Sequence, residues 1–217
     1  LITAGVKGGS VAGGGESGSI NRATDHFGVV AGGAGNQAGN DSGTTADAPY
    51  ASVGGGKNNR ASGRAATIGG GEYNTATSRD ATVGGGYLNN ASGQDATVAG
   101  GRGNTASGED ATVAGGTSNR ASALYSTVSG GTLNQASESS ATIGGGNANQ
   151  ASGGNSTVAG GNGNVASATY SSVGGGRENE ASGAHATVAG GHDNTASGAE
   201  SMSPGGGGNR AEGAFSL

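Results

Sequence analysis

Cysteine is absent from the 217 residues, which excludes a disulfide framework and any cysteine-ligated metal. Aromatic residues make up 3% and apolar residues 31%, too little to fill an ordinary globular core at this length, so any core must be thin and elongated. Charged residues are scarce as well, at 12% with a net charge of −5, and nothing resembles the basic footprint of a nucleic-acid binder. No apolar run approaches the length of a membrane span, and no stretch reads as a signal peptide. What is plentiful is glycine, 52 residues of it. By composition alone the chain would pass for a low-complexity or disordered segment.

The order of the residues argues otherwise. Val53, Ile68, Val83, Val98, Val113, Val128, Ile143, Val158, Val173 and Val188 follow one another at a spacing of fifteen without a slip. Two glycines stand at the second and third places after each, asparagine at the sixth, alanine at the eighth, and serine or threonine at the ninth and at the place just before. A disordered linker has no reason to hold one β-branched residue in phase. A strict short period is the mark of a solenoid in which each repeat is one coil laid on the last.

Each unit, A-T-V-x-G-G-x-x-N-x-A-S-G-x-x, contains two segments of period-two character. In the first, Ala96, Val98 and Gly100 share one side and Thr97 and Ala99 the other; in the second, Asn104, Ala106 and Gly108 face one way and Thr105 and Ser107 the other. The expectation is an all-β parallel β-solenoid, a β-roll of 15-residue coils, with two short strands of about five residues per coil and parallel pairing about 4.8 Å apart. Val113 and Ala106 are expected inside, Thr112 and Ser107 outside. The glycine pair is expected to serve corners with positive φ and close approach of the opposing sheet, and the asparagines to form a stacked amide ladder.

Three regions are distinguished: 1–52, irregular coils with insertions; 53–202, the regular repeat; and 203–217, a variant terminal coil in which Ser203 takes the valine place. Val11 and Val30 head earlier coils, the first with a corner four residues longer than standard. Eight extra residues around Gly39–Ala48 are expected to protrude as a loop, either an inert bulge or a recognition element. The pattern is already running at Leu1 and still running at Leu217, so more chain or another subunit is expected to continue the stack.

A search for chemistry yields no expected catalytic, cofactor or metal residue. His185 and His192 fall on opposite corners of one coil, with Asp193 beside the second, an arrangement that admits a metal site but reads first as surface side chains. The glycine turns lack the G-K-[ST] of a phosphate loop, and segments such as Gly100-Gly101-Arg102-Gly103-Asn104 lack the aspartate of calcium-binding nonapeptides. Phe27, Tyr50, Tyr125 and Tyr170 all stand three places before the valine place, on one corner, where they suit either a sugar-stacking edge or capping of neighbouring coils.

The half-coils Ala96-Thr97-Val98-Ala99-Gly100 and Asn104-Thr105-Ala106-Ser107-Gly108 resemble the S-V-A-I-G and S-x-A-x-G halves of YadA-like head repeats in trimeric autotransporter adhesins. The longer string at 81–93 is similar to β-roll repeats of bacterial surface and tail-fibre-like proteins. This resemblance implies a left-handed β-roll and a non-enzymatic structural or adhesive role, as a fibre, spacer or adhesin head outside the cell or on a bacterial surface. It further implies a homo-oligomer, trimer or filament, and a host-surface or glycan ligand. The outward places that carry Val and Ile in YadA-like heads are Thr, Gly, Ala or Ser here. The half-coils also resemble a plant ice-binding β-roll; ice binding and carbohydrate binding stand as alternatives.

Of the two outward faces, the one showing Thr67, Thr82, Thr97, Thr112, Thr127, Thr142 and Thr157 is uniform and nearly uncharged, whereas the other shows Arg60, Asn90, Arg120, Gln135, Gln150, Glu180 and Arg210. Hydroxyls are cheaper to desolvate than charges, so the threonine face is the candidate contact face.

Overall fold

The computed structural model describes residues 1–217 and shows an all-β parallel β-solenoid, thirteen turns of about fifteen residues with two short strands in each and no helix. The chain divides into two compact units, Leu1–Asp110 and Ala111–Leu217. In the first unit the strands Ser10–Val11, Val29–Val30, Ser52–Val53, Thr67–Ile68, Thr82–Val83 and Thr97–Val98 form one sheet. The strands Arg22–Ala23, Gln37–Ala38, Arg60–Ala61, Thr75–Ala76, Asn90–Ala91 and Thr105–Ala106 form the other. The second unit repeats the plan with seven strands in each sheet, beginning at Thr112–Val113 and Arg120–Ala121.

The register is the one the alternation requires. Val83 lies beside Ile68 and Val98, Ala91 beside Ala76 and Ala106, and every pairing is parallel. Val113 and Ala106 are fully buried, while Thr112 and Ser107 are half-buried among their ladder neighbours. The core is a column of single Val or Ile side chains flanked by alanines, each valine contributing about 1.5–3 kcal/mol on burial. It is as thin as the composition demands.

The strands are shorter than the expected five residues. Each has two, and the corners take up the rest of the coil. The reason lies in residues with positive φ that are not glycine. The place three before the valine holds Tyr50, Ala65, Asp80 and Asp95 at φ of 54–66°, and the place five after it holds Asn58, Tyr73 and Leu88 at 54–57°. At the first corner a turn closes from Gly153 O to Ser156 N–H at 3.0 Å with Asn155 in the left-handed conformation, as in a type II turn.

The left-handed residue reverses its N–H. Strand amides donate to the following coil, as Thr142 does to Ser156 O at 2.9 Å. The corner amides donate to the preceding coil: Asn155 to Ser139 O at 2.9 Å, His185 to Thr169 O at 3.0 Å, Tyr73 to Lys57 O at 3.0 Å. Each left-handed non-glycine residue costs about 1–2 kcal/mol, and the gain is a corner bonded in both directions.

The asparagines form the expected ladder, all of them buried along its interior. Asn149 Nδ2 donates to Gly145 O of its own coil at 2.8 Å and to Gly161 O of the next at 2.9 Å. Its Oδ1 accepts the Asn164 N–H at 3.0 Å, and its own N–H donates to Asn134 Oδ1 at 3.0 Å. The first unit repeats the pattern from Asn21 through Asn89. The glycine third after the valine serves this ladder. At Gly146, with φ of 91°, a Cβ would run into Gly161 O and stand 2.7 Å from Asn149 Nδ2. The close approach is therefore to the next coil and the asparagine, not to the opposing sheet. The other member of the pair has open space at Gly145.

Two substitutions test this account. Asn149→Leu removes the only acceptor of the buried Asn164 N–H and the donor to two carbonyls, and should lower stability by about 2–3 kcal/mol. Gly146→Ala should be similarly harmful, whereas Gly154→Ala, where a Cβ meets nothing within 4 Å, should be neutral. Urea unfolding followed by circular dichroism distinguishes them; equal midpoints for the two alanine variants would refute the role given to the third-place glycine.

Candidate contact faces

The structure places the candidate threonines where the alternation puts them, on the outer side of the first sheet in each unit. Thr67, Thr82 and Thr97 are in register in the first unit, and Thr112, Thr127, Thr142 and Thr157 in the second. Thr67 is exposed and the other six are half-buried, each in register with a threonine of a neighbouring coil in its own unit. The Ser52 hydroxyl donates to Thr67 Oγ1 at 3.3 Å. Beside this column runs a second made of Gly69, Gly84 and Ala99 in the first unit and Ala114, Ser129, Gly144 and Ala159 in the second, all exposed. The result in each unit is a low, uncharged surface.

The opposite sheet is rougher. Arg60, Arg120, Gln135, Gln150, Glu180 and Arg210 are all exposed, and Asn90 is half-buried. A serine column, Ser62, Ser92 and Ser107 in the first unit and Ser122, Ser137 and Ser152 in the second, lies alongside, half-buried.

Corners carry more side-chain chemistry than the sheets. Phe27 and Tyr50 stack with centroids 4.9 Å apart and planes at 6°, with His26 edge-on to Phe27. Tyr170 stacks on His185 at 5.0 Å and 15°. His192 sits instead at the other corner, its Nδ1 3.1 Å from Asp193, so the two histidines serve separate contacts. That hydrogen bond, ahead of contributions from Glu178 and Arg177, holds the Asp193 carboxyl below the usual carboxylate range.

A third ladder escaped the sequence reading. At the fourth place after the valine, single-residue bridges link Lys57, Glu72, Tyr87 and Arg102 in the first unit, and run from Thr117 to Gly207 in the second. Tyr87 meets Tyr73 edge-on at 6.0 Å and lies under the Arg102 guanidinium at 5.6 Å. Its signal was the same period of fifteen, masked because residue type at this place varies freely.

The inserted residues are exposed at 41–44 and at 46 and 47, and their two ends are held at the buried Gly39 and Ala48. They close over Asp25, which is fully buried at a place where most coils carry Gly, Ser or Ala and one carries the exposed Glu138. Asp25 Oδ2 accepts the Asn40 N–H at 2.8 Å and the Thr24 hydroxyl at 3.2 Å, and Oδ1 accepts the Ala48 N–H at 3.3 Å. Outside this latch, Arg22 pairs with Asp41. A carboxyl buried at this place needs donors, and the diverted chain supplies them, whereas Glu138 at the same place stays exposed without an insertion.

Compared with known proteins, the chain matches no family model and no curated protein sequence. The fold and the geometry of its faces therefore carry the functional reading.

The latch responds to acid in a defined direction. A hydrogen bond with Asp25 holds the Asp47 carboxyl below its ordinary value. A carboxyl depressed in the folded state stabilises the loop above the ordinary carboxylate range, and that hold is lost as pH falls through the depressed value. Signals of the Asp47 side chain and of the Asn40 carboxamide should be constant at neutral pH and shift together once pH falls below the ordinary carboxylate range, ahead of the coil amides. Asp25→Ala should make the same loop a preferred proteolytic site at pH 7; a loop equally protected in that variant would contradict the latch.

Proposed function

We propose that the chain is a non-enzymatic structural and adhesive β-roll element of an extracellular or bacterial cell-surface protein, like the YadA-like heads its half-coils resemble. The observation that carries this reading is the division of labour within each coil. The inward valine, alanine and asparagine are matched to the coils on either side, so the same interior is repeated while outward places vary. A scaffold of this kind supports ordered columns of side chains on a stiff backing.

Of the two faces, the threonine columns suit lateral contact. Their hydroxyls and methyls lie low and in register, and the surface gives up little hydration on being covered. The partner that fits is a second copy of the chain, in a trimer or filament. Like meets like there without the repulsion that two copies of an acidic chain would meet elsewhere, given the net charge of −5. Thr97→Lys with Thr112→Lys should weaken self-association at least tenfold while leaving the circular dichroism unchanged, and Gln135→Lys on the opposite sheet should leave both unchanged. Sedimentation velocity over a concentration series reads the result. A chain that stays monomeric throughout, or one whose association is lost through Gln135→Lys, would overturn the assignment of the threonine face.

One observation favours a second reading. The in-register threonines form the regular hydroxyl array that an ice-binding β-roll also presents. Partition of the chain into slowly growing ice, lost in the double lysine variant, would support it; exclusion from ice would remove it.

A further inference from the structure

The corner that carries the aromatic residues contains a gap, and its dimensions follow from the coil. Where two rings occupy this corner on adjacent coils they stack face to face at the coil spacing, 4.9 Å for Phe27 and Tyr50 and 5.0 Å for Tyr170 and His185. Ring faces here are therefore turned toward the neighbouring coils. His185 covers one face of Tyr170, and the other looks toward the preceding coil, where the same place holds Asn155, and before it Ser140. The next ring at that place is Tyr125. Tyr125 and Tyr170 are 56% and 54% exposed, so neither is covered by its own coil.

Three coil steps separate Tyr125 from Tyr170, about 14 Å, of which roughly 11 Å is clear once the half-thickness of each ring is removed. Two vacant levels of the ladder lie between them, at Ser140 and Asn155. We propose that this gap is a binding slot for a neutral saccharide, in which pyranose rings take the vacant levels and stack on Tyr125 and Tyr170 as a further aromatic ring would.

The chemistry selects this ligand class. A pyranose presents an apolar C–H face to a tyrosine and a rim of hydroxyls to its surroundings. Neutral hydrogen-bonding side chains flank the slot, Ser139 and Thr169 at the adjoining place and Ser140 and Asn155 between the rings, and the remaining residues of the adjoining place, Leu124 and Gly154, are uncharged too. A planar aromatic ligand would use the rings and leave those hydroxyl and amide groups unmatched. Charged glycans would find no counter-ion among these residues. The slot is separate from the threonine columns, so glycan binding by a strictly monomeric protein would leave this inference standing and remove only the lateral contact proposed above.

The test uses the full chain on an array of neutral hexose and N-acetylhexosamine oligosaccharides with sulfated and sialylated counterparts. Titration with a β-1,4-linked N-acetylglucosamine tetrasaccharide, followed by saturation-transfer NMR and tyrosine fluorescence, accompanies it. Retention of neutral glycans and saturable binding of the tetrasaccharide are expected. Tyr170→Ala should weaken that binding three- to tenfold, about what one aromatic stacking contact supplies. Ser140→Tyr with Asn155→Tyr, which fills both vacant levels with side chains of this chain's own, should abolish binding with the thermal midpoint unchanged. Tyr73→Ala, on the opposite corner, should bind as the unaltered protein does. Absence of any retained neutral glycan, retention of the anionic ones alone, or binding that survives the double tyrosine variant would each overturn the proposal.

Discussion

The structure depends on one buried side chain per coil, the corner asparagine. A β-roll of two-residue strands leaves much of its backbone in corners, where the sheet ladder cannot reach. There a carbonyl of the same coil, such as Gly145 O, a carbonyl of the next, such as Gly161 O, and an amide such as Asn164 N–H all converge on the interior. A carboxamide offers two donor hydrogens and an acceptor oxygen in one plane, and it matches that demand without a surplus group. Aspartate would lack the donors and leucine would lack everything. Because Oδ1 reaches forward to the next asparagine's N–H, each coil's register is set by the one before it, even across the longer coil between Asn36 and Asn59.

Most of this was legible from spacing. Val83, Ala91 and Asn89 recur at fixed places, and the side each faces follows from alternation, so register, burial and the amide ladder could be read directly. Strand length could not. It is limited by left-handed corner residues, and those places hold Tyr50, Asp80, Ser140 and Glu200 with no common chemistry. What they share is a backbone constraint imposed by hydrogen bonds to the preceding coil, which leaves no trace in residue type. The threonine columns were placed correctly because they alternate with the valines. The latch around Asp25 was not legible from residue type, because an acidic residue, the exposed Glu138, stands at the same place in a coil without an insertion. Its meaning needed the position of the inserted chain, which sequence spacing locates but does not orient.

The same logic separates what is free to change from what is not. A substitution inside touches the asparagine ladder or the valine column and is felt by both neighbouring coils. A substitution at an outward place or a corner tip meets water and the equivalent places above and below. Corners consequently hold the greatest chemical variety in the chain, from the Tyr87–Arg102 contact to the Tyr170–His185 stack. The insertion also falls at a corner, where extra chain enters without shifting the register of the sheets: Gln37 still pairs with Arg60 and Ala38 with Ala61.

Such an arrangement turns a ladder into a ruler. Identical places on successive coils are held about 4.8 Å apart, close to the separation at which flat rings stack, so an aromatic residue at a corner meets its neighbour in stacking contact whenever the neighbour is a ring. Where the neighbour is Asn155 or Ala65 instead, the ring of Tyr170 or Tyr50 keeps one face open at a level the scaffold has already spaced for another ring. The open face costs the fold little, because corner side chains add almost nothing to the core that the asparagines and valines hold together. The recognition we propose and the stability of the roll thus draw on different places of the same fifteen-residue unit, and a corner vacancy arises by a single substitution that the interior does not register.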